Sequence, residues 1–193
     1  MQERRRRNRT MTFISRWWQS LGFGIQSKTD YAFLHDVLRE RTPYYAYDDM
    51  LKAFPKSTVS EHVTARLLLR VCNSVQPSKV RVYGDVPQLY VAAIRHGCGS
   101  AEVECNKAKY FKLHCADMSD SLTGGVLVEL IAGSGSHDCI AAVVLTDIDT
   151  YNTHLWKQLC SLPVITYDMR NTGVAVMRDG RYPEHYKLSS LKL

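Results

Sequence analysis

The stretch with the most chemistry to offer runs from Lys79 to Gly97, KVRVYGDVPQLYVAAIRHG. Val80, Val82 and Tyr83 suit a buried strand. Leu89, Val91, Ala92, Ala93 and Ile94 give the following segment an apolar face at helical spacing, and Gly97 stands where a helix C′ residue belongs. A strand feeding a helix through a glycine turn is how nucleotide-binding α/β folds offer backbone N–H groups to a ligand. The turn here is GDVPQ. It has a single glycine, Gly84, and Pro87 has no N–H to donate. It reads as a cofactor cradle with parts missing.

Other reactive types are scattered. Asp147 and Asp149 follow an apolar run, a place from which two carboxylates could ligate magnesium. No third ligand accompanies them, and no metal is expected. In GSGSH (133 to 137), Ser136 and His137 are neighbours, which does not set a base against a nucleophile, and there is no strand–GxSxG–helix elbow. That segment reads as a loop. The seven histidines show no HExxH or HxxxH spacing. The six cysteines show neither CxxC nor zinc spacing and read as buried thiols in a reducing, cytoplasmic setting. Tyr44 and Tyr45, in PYYAYDD, could line a cleft on the substrate side or pack half-buried beneath an N-terminal lid.

These residues need elements to position them. The chain has 193 residues, 45% hydrophobic and 23% charged, enough for one domain with a proper core. No apolar run approaches the roughly 18 residues of a membrane span. The net charge of +6 is concentrated at the start, with Arg4 to Arg7 and Arg9, leaving the remainder close to neutral. Residues 1–11 read as a disordered, solvated basic tail. RNA or a membrane surface held by that tail is the weaker reading, and no basic-aromatic stripe later in the chain supports a nucleic-acid surface.

Thr29 or Asp30 is placed to cap a helix running to about Arg39, with Phe33, Leu34, Val37 and Leu38 on one face. Thr58-x-x-Glu61 is a capping box opening a helix through Val63, Leu67, Leu68 and Val71. Segments 101–105, 109–115, 125–132 and 140–145 read as strands. Thr150 to Leu162 reads as a helix closed by Pro163. Segments 164–168 and 173–178 read as a terminal hairpin, followed by a short strand at 185–188. Strands alternating with helices before a hairpin argue for an α/β three-layer sandwich.

The sequence also resembles a family. GFGIQS (22 to 27), YAFLHDVL (31 to 38), PYYAYDD (43 to 49), ARLLLRVCNSVQPSKV (65 to 80), TDIDT (146 to 150) in part, DMRNTGVAVMR (168 to 178) and EHYKL (184 to 188) look like the motifs of class I S-adenosylmethionine-dependent methyltransferase-like proteins common in Bacteroidetes. The resemblance implies a Rossmann-like methyltransferase domain over residues 12–193, with 12–57 an N-terminal helical cap and 58–193 the core. It implies S-adenosylmethionine as cofactor, held by Gly84, by Glu104 at the end of the second strand and by Asp117 after the third. Asp147, Tyr44 and Tyr45 would lie on the substrate side. The departures fall at the cofactor: Val82 stands at the family's acidic position and Gln88 at its second glycine.

Connection lengths point the same way. A parallel crossover with its helix needs roughly 10–12 residues. Cys105 to Lys109 has no room for one, and Ala132 to Cys139 is also too short. Each flanking pair must be an antiparallel hairpin, or one member is not a strand. The expected fold is therefore a Rossmann-like sandwich trimmed in the middle, ending in an antiparallel hairpin. Lost helices would leave one sheet face short of cover, open to a homodimer. Two functions follow: a degenerate methyltransferase relative acting through association, or an active methyltransferase on a small molecule.

Overall fold

The computed structural model describes residues 14–106, 110–113, 118–122, 124–132, 139–178 and 180–190. The arginine-rich tail, the GSGSH segment and Asp117 lie outside them. The first described helix, α1, covers residues 14–20. Helix α2 (Lys28–Phe33) runs into a π-helical turn, Leu34–Leu38. Then come α3 (Tyr45–Ala53), α4 (Val59–Val75), β1 (Lys79–Gly84), α5 (Gln88–Gly97), β2 (Glu102–Asn106), β3 (Tyr110–Leu113), β4 (Met118–Ser121), β5 (Val126–Ala132), β6 (Cys139–Thr146), α6 (Thr153–Ser161), β7 (Ile165–Asp168), β8 (Thr172–Val176) and β9 (Glu184–Lys187).

Seven strands form one open mixed sheet in the order β2-β1-β5-β6-β8-β7-β9, and β3-β4 form a separate hairpin. Among the described residues only β1–β2 and β7–β9 pair in parallel. The other neighbours are antiparallel, β5 to both β1 and β6. The architecture is thus mixed α/β, and β5 runs against the direction that a parallel Rossmann-like sheet would give it. Connection length explains the reversal. The link from β1 to β2 holds α5 and brings the chain back in parallel, whereas the short link from β5 to β6 permits only a hairpin.

The expectation of a hairpin, or of one member not being a strand, fails for β2 and β3: both are strands and they do not pair. They are successive in sequence but lie in different sheets. The partner of β3 is β4, a strand that the sequence pattern did not announce. The terminal hairpin is present as β7–β8, Ile165 facing Val176 and Asp168 facing Gly173.

Helices α2 to α5 cover one face, where Leu34, Leu38, Leu67, Leu68 and Ile94 pack against Val80, Val82, Val128, Leu130, Val144 and Tyr167. On the other face Leu155, Trp156 and Leu159 of α6 meet Leu127, Ile131, Val143, Leu145 and Ala175. Gly173 is what lets the Trp156 ring approach the sheet so closely, since a Cβ there would overlap the indole. The sheet face expected to lack cover is not open at its centre: Leu127, Glu129 and Ile131 are all buried.

Local expectations are corrected in three places. The α2 cap is Ser27, whose hydroxyl accepts from the Asp30 N–H, while Asp30 itself is buried one turn on. Helix α6 starts at Thr153 after Asn152, because Asp147 to Thr150 form a turn instead. Gly97 belongs to the last turn of α5, not to a left-handed cap; a Cβ there would strike the Leu69 carbonyl of α4. Its role is the close approach of α4 and α5. The capping box is present as read, with Thr58 and Glu61 exchanging side-chain and backbone hydrogen bonds.

Candidate functional site

Strands β1 and β6 end on the same side of the sheet, where α4, α5 and α6 begin. In open α/β sheets ligands bind at such carboxyl ends, so this end is the candidate site. It gathers Gly84 at the end of β1 with Asp85 beyond it, Gly124 and Gly125 before β5, Thr146 at the end of β6 with Asp147 to Asp149 beyond it, and Asn171 before β8. Two of the sequence-derived site residues, Gly84 and Asp147, meet here through Gly125. A Cβ on Gly84, which has φ +107, would lie 2.5 Å from the Gly125 carbonyl oxygen and 2.9 Å from Leu122. A Cβ on Gly125 would lie 2.7 Å from Asp147 Oδ2, 2.8 Å from Asn152 Nδ2 and 2.8 Å from Thr146 Oγ1. The space above the glycine turn is filled by the chain's own approach to β5.

Most polar groups at this end bond one another, although the buried Asn152 Oδ1 has no partner. The Thr146 hydroxyl accepts from the Val126 N–H at 2.8 Å and donates to Asp147 Oδ2 at 3.1 Å. The Asn152 amide donates to the Gly124 and Thr146 carbonyls at 2.8 and 2.9 Å. The Asn171 amide, oriented by the partners it serves, donates to Asp149 at 3.2 Å and Asp147 at 3.3 Å. Asp147 sits at φ +58, an uncommon conformation for a residue with a side chain, and its carbonyl accepts from the Asn152 N–H at 2.9 Å. These residues staple the entry of β5 to the exit of β6. Burial pushes the Tyr90 hydroxyl on α5 up in pKa, and the charges of Glu61 and Asp147 add to the effect. Among the described residues no group of three or more His, Cys, Asp or Glu is placed to hold a metal ion.

The remaining site residues lie elsewhere. Glu104 does not end β2: it stands in mid-strand, in register with Arg81, and forms ion pairs with Lys79 at 2.5 Å and Arg81 at 3.4 Å. Those cations, Lys79 first, pull its carboxyl below the usual range. Tyr44 donates to Glu40 at 2.7 Å and stacks on Tyr47, 5.3 Å between centroids. The Glu40 bond, with burial, pushes its phenol up to about 12. Tyr45 is 96% exposed. Asp117 falls outside the described residues.

The cofactor implied by the resemblance does not fit the residues present. Val82, at the acidic position, is fully buried in the apolar face and has no group to accept a hydrogen bond. Gly125 and Leu122 stand against Gly84 on its Cβ side, and Glu104 is committed to two cations.

Sequence reasoning also passed over Gly125, Asn152 and Asn171, and over Glu129 in β5. The signal for Glu129 was its place inside VLVELIA, a charge interrupting an otherwise apolar strand. It is buried, takes a 3.3 Å hydrogen bond from the Tyr83 hydroxyl through one oxygen and has no partner for the other. Burial pushes its carboxyl up to about 7, against the opposing pull of Tyr83 and Arg81. Comparison with known protein families, with curated proteins and with solved structures yields no match.

Proposed function

We propose that this chain is a methyltransferase-like α/β protein that has lost its S-adenosylmethionine site and acts through association with other macromolecules, without catalysis. The observation that supports this reading is the filled glycine turn, where the Gly125 carbonyl and Leu122 stand against Gly84. A phosphate- or amino-acid-binding turn works by leaving N–H groups open to a ligand. This turn is spent on packing the reversed strand β5. The end cluster supports the reading too, because its amide N–H groups are engaged by carbonyls and carboxylates of the same cluster.

The test is isothermal titration of the full chain with S-adenosylmethionine and S-adenosylhomocysteine, with light scattering on the same sample. No saturable heat from either ligand, from a folded protein, is the expected result. Saturable micromolar binding would overturn the reading and restore the enzyme. Light scattering reports whether association includes a second copy of this chain.

A further inference from the structure

Helix α1 is amphipathic the wrong way round. Its polar side chains face the protein. Arg16 donates to Asp168 at 3.0 and 3.1 Å and to the Leu188 carbonyl at 2.9 Å. Gln19 accepts from the Lys187 N–H at 2.9 Å, and Ser20 accepts from the Ser189 N–H at 2.7 Å. Its apolar side chains face out. Ile14, Trp17, Trp18 and Leu21 follow the i, i+3, i+4, i+7 spacing of one helical stripe. With Phe23 just beyond, they are between 39% and 55% exposed. A stripe with this spacing ordinarily packs on a core, and here the core side is taken by hydrogen bonds.

We propose that this outward stripe is a membrane-surface anchor, seating in the interface of an anionic lipid leaflet with the arginines that precede it in sequence. Charge complementarity selects the occupant. Arg4 to Arg7 and Arg9 lie five to ten residues upstream of Ile14 in sequence, which tethers Arg9 within about 18 Å of the stripe and Arg4 within about 36 Å. Tryptophan, phenylalanine and leucine beside a basic cluster are the composition of an interfacial helix. No helix of the described residues is long and apolar enough to cross a membrane, so the contact is peripheral.

Two other occupants fit less well. Trp17 and Trp18 meet edge to face at an interplanar angle of 86°, and Trp18 meets Phe23 at 61°. The rings pack against each other and do not form an open rank for stacked bases. A two-fold contact between two stripes adds a second like-charged tail to the assembly and supplies no anion to balance either. The anchor does not depend on whether the chain binds a cofactor.

The experiment is sedimentation of the full chain with phosphatidylcholine vesicles, with and without phosphatidylserine, read alongside tryptophan fluorescence. Only Trp17 and Trp18 are available to report, since Trp156 is buried in the core. Sedimentation with phosphatidylserine vesicles, a blue shift, and weakening by salt are expected. At about fivefold per basic residue, replacing Arg4 to Arg7 with serine should weaken partitioning about a hundredfold or more. Trp17→Ser with Trp18→Ser should abolish it, while the exposed Tyr45→Ser leaves it unchanged. Failure to sediment would overturn the proposal, as would binding that survives the double tryptophan variant. So would a dimer dispersed by that variant, or a blue shift with polyuridylate, in the absence of vesicle binding.

Discussion

Asp30 and Glu129 are both carboxylates with no exposed surface, one joining the two ends of the chain and the other in its middle, and they are treated very differently. Asp30 receives Arg181 at 2.7 Å, Arg178 at 3.3 Å and the Tyr186 hydroxyl at 3.3 Å. Its own carbonyl accepts from Tyr167, and it sits in the first turn of α2, where a negative charge meets the favourable end of the helix dipole. Glu129 has a single 3.3 Å bond from Tyr83, a cation opposite it in register at Arg81, and one oxygen left without a partner. A buried charge is tolerated when its lone pairs are filled and is expensive otherwise. The difference teaches that the ends form a completed lock, while the middle holds polar groups in an arrangement that satisfies only part of them.

Three substitutions break or sharpen that contrast. Asp30→Ala should have the largest effect, about 3–4 kcal/mol from chemical denaturation, because it takes the shared acceptor from two guanidiniums and a buried phenol. A loss below about 1 kcal/mol would mean that the lock is ornamental. Gly84→Ala should cost about 3 kcal/mol, combining a left-handed backbone with a Cβ pressed on the Gly125 carbonyl. A stable Gly84→Ala protein would show that the loop before β5 can move aside, and would reopen the question of ligand access.

Glu129→Gln should give the smallest change and the clearest pH signature. The folded carboxyl is raised to about 7 from 4.5. Its neutral form is therefore the one that the fold prefers. The stability it allows is fully present below pH 4.5 and is lost as pH rises through 7. Between pH 5 and 8 the native protein should lose about 2 kcal/mol that the glutamine variant keeps. Parallel pH profiles for the two proteins would show instead that Glu129 is solvated.

Much of the fold was legible because it rests on local rules. The Thr58–Glu61 capping box, the β7–β8 hairpin and the antiparallel turn-back between β5 and β6 follow from hydrogen-bond partners and chain length available within a few residues. The candidate site was less legible. Gly84 and Asp147 were singled out, but the bridge between them, Gly125 with Asn152 and Asn171, joins residues far apart in sequence. The strand expected at 101–105 is displaced by one residue from β2 at Glu102–Asn106, which puts Glu104 at its centre rather than near its end. The stripe of Ile14, Trp17, Trp18 and Leu21 could be seen in the sequence as apolar and aromatic, yet periodicity reports that a face exists and not which way it is turned.

By itself the sequence determined the alternation of strands and helices, the Thr58–Glu61 cap, the break at Pro163, and the impossibility of a crossover between β5 and β6. Those depend on backbone geometry and on the number of residues available. Only the tertiary structure decided that β5 would close the glycine turn, that Gly97 serves helix packing, and that Asp30 would tie α2 to residues 178–186. Only there did the polar face of α1 find Asp168 and Leu188 and leave its tryptophans outside. Each of these outcomes depends on which surfaces compete for the same space, and that competition exists only once the whole chain has folded.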